Sequence, residues 1–354
     1  MSSMAKPTGP SGDESKHYFD RVRDLQMRPL WQVIDDLMPA HPVPKEKPFQ
    51  WKWKEIRPLV HQAAEIVSIE EAPRRVLMLL NPGLPREQAA STQTLYAGIQ
   101  ILLPGEIAPA HRHTPNALRF VMEGTGAFTN VAGEKTILGP GDVVTTPTWT
   151  WHDHGNDANG PVVWLDALDI PLVNAVSGMF YEDFPAKHQP VSDASNSSQK
   201  TYGRGLRPVG EHRSTAYSPI LNYPYATTKA ALEGLPSSAH HPSEGRILEY
   251  VNPLTGGPIL PTIDAYLQRI DPGVRLRPRR RSSSAVFMGV EGRGTLTVDG
   301  QDFAWEPYDV LVVPAWAQYS HRATGTTPSI LFSYTNTPTM RALSLYREDS
   351  PEPA

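Results

Sequence analysis

The sequence predicts an all-β protein with a few short helices, built from two copies of one β-domain. Three observations carry this. The 354 residues include 36 prolines and 26 glycines, and proline at about twice its usual ~5% breaks long helices and suits short strands joined by tight turns. Short apolar runs such as Val76 to Leu80, Phe120 to Met122, Asp142 to Thr145 and Val162 to Leu165 are punctuated by Gly, Pro and Asn, the pattern of a β-barrel or sandwich. The third is an internal repeat. Arg75-Val-Leu-Met-Leu-Leu-Asn81-Pro82 is echoed by Arg246-Ile-Leu-Glu-Tyr-Val-Asn252-Pro253. Thr94, Ala97 and Gln100 recur as Thr262, Ala265 and Gln268, Glu123-Gly124-x-Gly126 as Glu291-Gly292-x-Gly294, and Pro147-x-Trp149 as Pro314-x-Trp316. A duplication lets one half serve as a control for the other.

Taken in chain order, residues 1–16 are small and polar and read as a disordered tail. Residues 17–70 form an N-terminal helical or extended segment, where Tyr18, Val22, Leu25, Leu30, Val33, Ile34 and Leu37 predict one or two short helices interrupted near Pro29. Residues 71–185 make the first barrel. The stretch 186–245 is an exposed linker, with a mobile part around Ser192 to Gln199 and a short helix over Thr227 to Leu235. Residues 246–345 make the second barrel and 346–354 a terminal tail.

Composition limits the function. With 39% hydrophobic residues the chain has material for a large core or two ordinary ones, which excludes a disordered or fibrous protein. A net charge of −4 gives no footprint for nucleic acid or an anionic membrane, so the expected ligand is a small molecule. No cysteine is present, which excludes disulfides, thiolate ligands and a cysteine nucleophile. Any metal must sit on His, Asp or Glu. No apolar run matches a signal peptide or a membrane span, and a cytoplasmic location is expected.

The residues that carry chemistry lie in the first copy. In Gly105-Glu-Ile-Ala-Pro-Ala-His111-Arg-His113 the two histidines are two apart, and on an extended strand such residues share a face. Alone, the pair fits a metal site or mere surface and packing histidines. Forty residues on, Gly141-Asp-Val-Val-Thr-Thr-Pro147-Thr-Trp149-Thr-Trp-His152-Asp-His154-Gly-Asn156 supplies a third candidate on another strand. The two blocks resemble the paired motifs of the cupin family: Gly105, His111, His113 and Gly124 fit the first, and Gly141, Pro147, His152 and Asn156 the second. Trp149 replaces a motif glycine. Ala117 stands where the family places a metal-binding glutamate, leaving a neutral site of three histidines. In the second copy Arg279, Arg281 and Tyr319 occupy the equivalent positions, so that barrel is expected to be structural, and His321, the echo of His154, is expected to be solvated.

A bicupin of this length and ligand set, with two jelly-roll barrels, resembles the gentisate dioxygenase family, which includes salicylate and 1-hydroxy-2-naphthoate dioxygenases. The resemblance implies Fe(II), dioxygen and a small aromatic 2-hydroxy acid, whose ring is cleaved between the carboxylate-bearing carbon and its hydroxylated neighbour. It places Arg75, Leu77, Tyr96, Gly98 and Gln100 around the substrate, and Arg119, His154 and Asp166 at the chemistry. Arg119 shares parity with His111 and His113 and is read as a clamp for the carboxylate or for reduced dioxygen, with a surface ion pair as the other reading. His154 is read as a proton shuttle or a structural histidine, and Asp166 as the residue that orients it or a ligand imidazole. Tyr96 favours gentisate, cleaved to maleylpyruvate, because salicylate-tolerant relatives tend to carry tryptophan there. Leu77 keeps salicylate, 5-nitrosalicylate, 5-aminosalicylate and 1-hydroxy-2-naphthoate open. A zinc, nickel or manganese cupin enzyme and a non-catalytic bicupin are the rivals, and the family implies a homo-oligomer, with a tetramer favoured.

Overall fold

The computed structural model describes residues 13–210 and 216–349. The chain divides into two compact units, 1–43 and 44–354. In the first, a helix spans Asp13–Asp24, and after Pro29 come a 3-10 turn at Leu30–Gln32 and a short helix at Ile34–Leu37. The break at Pro29 follows from its missing N–H. The helix starts at Asp13, inside the stretch read as tail, and the rest of that call, 1–12, lies outside the described residues.

The second unit holds two sandwich-like barrels with the same sheet order. In the first, a sheet of six strands runs Asn222–Tyr223, Val143–Thr146, Ala117–Glu123, Val162–Leu168, Tyr96–Leu102 and Val76–Met78. It faces a sheet of five, Tyr181–Asp183, Ile107–His113, His152–Asn156, Ala127–Val131 and Glu134–Ile137. In the second barrel the large sheet runs Phe49–Trp51, Val310–Val313, Ala285–Glu291, Ser329–Thr335, Asp264–Ile270, Gly245–Glu249 and His240–His241, opposite a sheet of Gln301–Trp305, Gly294–Val298 and Tyr319–Ala323.

The largest core lies between the barrels. Ala97, Ile99, Leu118, Phe120 and Leu165 of one large sheet pack on Ala265, Leu267, Val286, Met288 and Phe332 of the other, with the Phe120 and Phe332 rings 4.8 Å apart. The opposite face of the first sheet, which carries Leu102, Val121, Val144 and Trp164, fills the lower part of its own barrel. Strands covered on both faces must be apolar at nearly every position, which is why these segments read as continuous runs rather than alternating ones.

The two barrels exchange their leading arms. Phe49–Trp51 precedes the first barrel yet pairs with Val310–Val312 of the second, while Asn222–Tyr223 precedes the second and pairs with Val143 and Val144 of the first. A helix follows each arm, Trp53–Ile66 and Tyr225–Glu233. The first N–H of each is accepted by an aspartate of the barrel its arm has joined: Trp53 N by Asp309 at 2.7 Å and Tyr225 N by Asp142 at 2.9 Å. Each helix then returns a side chain to the other barrel, Arg57 to Glu123 and Lys229 to Glu291. Asp309→Ala removes a buried anion from a helix N-terminus and leaves the Trp53 N–H unanswered, so it is expected to lower unfolding stability by about 2 kcal/mol in urea titrations.

Three organisational readings need correction. Residues 46–70 are part of the second unit, and the Trp53–Ile66 helix was not foreseen there. The stretch Ser192 to Gln199 is docked, not loose: Ser192 N and Asp193 N donate to Gly133 O at 3.0 and 3.2 Å, and buried Ser198 caps the Glu134 carboxylate with its N–H and hydroxyl. The start of the terminal tail is also ordered, Glu348–Asp349 pairing with Arg280–Arg281.

Candidate metal centre

The strands Ile107–His113 and His152–Asn156 lie side by side, and the register between them shifts by one residue between Ala108 and His111. That bulge brings His111 directly opposite His152, the kind of local re-aiming that β-bulges provide. The three imidazoles converge: ring centroids are 4.1 Å apart for His111 and His152, 4.8 Å for His113 and His152, and 5.4 Å for His111 and His113. One nitrogen from each lies within 4.8 Å of the others, and no other cluster of three or more potential ligands is found among the described residues.

The backbone fixes which nitrogen each ring presents. Nδ1 of His111, His113 and His152 faces the carbonyl oxygen of Pro109, Pro115 and Thr150 at 3.0, 2.8 and 2.8 Å. A carbonyl only accepts, so Nδ1 carries the proton and Nε2 keeps its lone pair. Nε2 of His152 is buried with no partner among the described residues. Burial, aided by the charges of Arg74 and Arg119, lowers His113 to about 4 and holds all three rings neutral. Three neutral imidazoles with inward lone pairs fit a divalent transition metal. Ala117 supplies no carboxylate, so charge must come from another ligand.

The facing sheet supplies a polar wall. Cross-strand pairing places Arg119 opposite Asp166 and Asp166 opposite Gly98, so these side chains share the inner face with Tyr96 and Gln100 by strand parity. Arg119, 4% exposed, pairs through Nε with Asp166 at 2.9 Å and donates Nη1 to Thr146 Oγ1 at 2.6 Å. A surface ion pair is therefore excluded for Arg119. Asp166 also accepts from Trp164 Nε1 at 3.1 Å. It meets no histidine in this geometry, which corrects its reading as a partner of His154. Burial pushes the Asp166 carboxyl up to about 6, with Arg119 pulling it back. His154, 1% exposed, has Nδ1 2.9 Å from Thr129 Oγ1, and its Nε2 is buried without a partner among the described residues. Gln100 is likewise buried with an unpartnered Nε2. A Cβ on Gly98 would come within 2.4 Å of the Tyr96 hydroxyl and 2.6 Å of Val76, so glycine there makes room for the tyrosine ring.

Two predicted substrate residues face elsewhere. Arg75 is locked to Glu106 and to the Val67 carbonyl, and Leu77 packs into the core between the barrels. Because Val76 pairs with Gln100 and Leu77 with Ile99, Val76 is the residue on the pocket side. The same parity brings in Arg74, whose charge acts on His111, His113, His154 and Asp166. Arg74 Nη2 donates to Tyr181 Oη at 3.0 Å, and the Tyr181 ring stacks on His111 at 5.5 Å. Both were missed; only the face of the Val76 strand, not readable before its register is known, would have revealed Arg74. Trp149 accepts the left-handed conformation of the motif glycine it replaces, with φ +56°, and with Trp151 it flanks the Arg112 guanidinium at 4.4 Å. His321 is buried, not solvated, stacked edge-on against Phe287 at 4.7 Å.

The comparisons with known proteins match this layout. The cupin domain model matches residues 98–168 and 266–334, one in each barrel. A gentisate 1,2-dioxygenase from Aquipseudomonas alcaligenes is 36% identical over 95% of this chain and 96% of its own. This chain belongs to the gentisate 1,2-dioxygenase family. A family member from Comamonas, a 5-aminosalicylate 1,2-dioxygenase, is 35% identical over 92% of this chain and 87% of its own. The family's salicylate 1,2-dioxygenase from Pseudoaminobacter salicylatoxidans, solved as an adduct with gentisate, superposes with a TM-score of 0.91 at 34% identity, covering 99% of this chain and 98% of that one. As a member of this family the chain is a ring-cleaving 1,2-dioxygenase of the gentisate and salicylate type, and a non-catalytic role is set aside.

Proposed function

We propose that this chain is an Fe(II)-dependent gentisate 1,2-dioxygenase that opens gentisate to maleylpyruvate. The observation that carries the reading is the neutral three-imidazole cluster facing the buried Arg119–Asp166 pair inside one barrel. Held by Nε2 of His111, His113 and His152, Fe(II) supplies the one-electron chemistry with dioxygen that no side chain provides. Arg119 spends Nε on Asp166 and Nη1 on Thr146, which leaves Nη2 to meet the substrate carboxylate with a charge-assisted hydrogen bond. Asp166 fixes that guanidinium rather than acting on substrate. Arg74 adds a second positive charge on the same side, and Tyr181 covers His111. Tyr96, beside Gly98, bounds the ring of the substrate; the nitrosalicylate alternative leaned on Leu77, which faces the other way.

His154 presents an unpartnered Nε2 toward the interior and is placed to move a proton of the substrate hydroxyl. His154→Gln is expected to lower kcat by about a hundredfold with iron content unchanged; equal turnover in stopped-flow assays sinks the shuttle role. Assembly as a homotetramer in the cytoplasm is part of the same proposal and is checked by light scattering and cell fractionation. The deciding experiment loads purified protein with ferrous salt and follows oxygen uptake and absorbance with gentisate, salicylate, 5-aminosalicylate, 5-nitrosalicylate and 1-hydroxy-2-naphthoate. Turnover of gentisate at least tenfold faster than the rest is expected. Preference for another acid overturns the substrate assignment, and no uptake with any overturns the activity.

A further inference from the structure

The second barrel repeats the topology of the first, so its mouth has a counterpart of the metal position. Arg279, Arg281 and Tyr319 stand there in place of the three histidines, and the mouth encloses a cavity of about 240 Å³. Its charged groups divide into satisfied and unsatisfied ones. Arg279 is satisfied by two carboxylates, donating Nη1 to Glu244 at 3.0 Å and Nη2 to Glu348 at 2.7 Å. Those carboxylates are in turn saturated: Glu244 also accepts from Tyr319 Oη at 2.8 Å and Gln268 Nε2 at 3.0 Å, and Glu348 from Tyr346 Oη at 2.6 Å.

Arg281 has no such partner. It is 8% exposed, rests on the Tyr319 ring at 5.5 Å, and its buried Nε has no acceptor among the described residues. No carboxylate among the described residues forms an ion pair with it, although Glu244 is near enough to be acidified by its charge. A guanidinium taken out of water without an anion is costly. Arg341 stands exposed at the rim of the same cavity. The remaining acids, Glu249 and Asp264, hydrogen-bond each other, and burial with that mutual contact raises Asp264 to about 7, so the pair holds close to one negative charge at neutrality. The other walls are Phe287, Ile247 and Tyr266.

We propose that the mouth of the second barrel is a binding site for a small monocarboxylate with an apolar tail, its carboxylate held by the fork of Arg281. A planar guanidinium matches a carboxylate bidentately. The nearby Glu244 and Glu348 repel a dianion such as phosphate. The cavity is smaller than the ~300 Å³ floor of drug-sized pockets, and its aromatic and aliphatic wall suits a tail the size of one ring. The duplicated fold thus holds a metal in one copy's mouth and an organic anion in the other's, independently of which acid the first barrel cleaves.

Equilibrium dialysis of radiolabelled benzoate against the full-length, iron-loaded protein tests this. Two benzoates per chain are expected in the wild type. Arg281→Met should weaken one of them at least tenfold, while His113→Ala should spare that same one. A single benzoate per chain, or two with unchanged affinity in Arg281→Met, overturns the proposal. Inorganic phosphate competing as well as unlabelled benzoate overturns the monocarboxylate assignment. Should Arg281→Met fail to fold by circular dichroism, Arg281→Lys, which keeps the charge without the fork, carries the test with an expected several-fold loss. A benzoate-soaked crystal of the wild type then reads the site directly: density on Arg281 supports it, and a clear cavity refutes it.

Discussion

Substitution of His152 by alanine yields a protein that folds but holds iron at least about a hundredfold more weakly than the wild type, since even the partners that merely orient metal-bound histidines are worth 10–100-fold. His152 is the fully buried member of the triad, and its Nε2 has no partner among the described residues, so nothing in the surroundings replaces it. Iron analysis after gel filtration and oxygen uptake with gentisate provide the readout. The melting temperature of the variant should no longer rise with added ferrous salt, because a ligand stabilises the native state only through its affinity for it. Full iron content after gel filtration would remove His152 from the centre.

The second large effect falls on Arg119. Arg119→Met deletes one partner of a buried pair and strands the Asp166 carboxylate, 5% exposed, at an expected cost of about 3–5 kcal/mol in unfolding free energy. Turnover should fall by about 10²–10³-fold, the scale of losing one charge-directed donor at a reaction centre, with iron retained because no ligand is touched. The two effects separate in the double variant Arg119→Met with Asp166→Leu. Stability should largely return, since a buried pair is often replaceable by apolar residues, while activity should not. An active double variant would mean that Arg119 serves the fold alone.

The metal cluster was legible because its chemistry depends on spacing along strands. Two histidines two residues apart share a face in any extended segment, and the third could be placed by comparison with the copy that lacks all of them. The ion pair of Arg119 with Asp166 was half legible: parity put Arg119 on the inner face, but its partner depended on register between strands 40 residues apart. Register also explains the error at Arg75 and Leu77. A slip of one position on a strand turns every side chain to the opposite face, and the short strand Val76–Met78 gives no pattern strong enough to fix it, being flanked by apolar residues on both sides. The Trp53–Ile66 helix was hidden by Pro58 in its interior. It is held by Asp309, more than two hundred positions away, a stabilisation no local window contains. Ser198 illustrates the same limit, since a Ser- and Asn-rich stretch reads as solvated unless a buried carboxylate such as Glu134 is known to wait for it.

The swapped arms at Phe49–Trp51 and Asn222–Tyr223 make each half of the duplication a chaperone for the other. Excising the metal-free half would strip the first barrel of its Asn222–Tyr223 edge strand and expose the broad apolar face of its large sheet, inviting aggregation rather than yielding a minimal enzyme. Gene duplication here produced an inseparable pair, so the copy that surrendered its histidines could drift in chemistry without ever becoming dispensable.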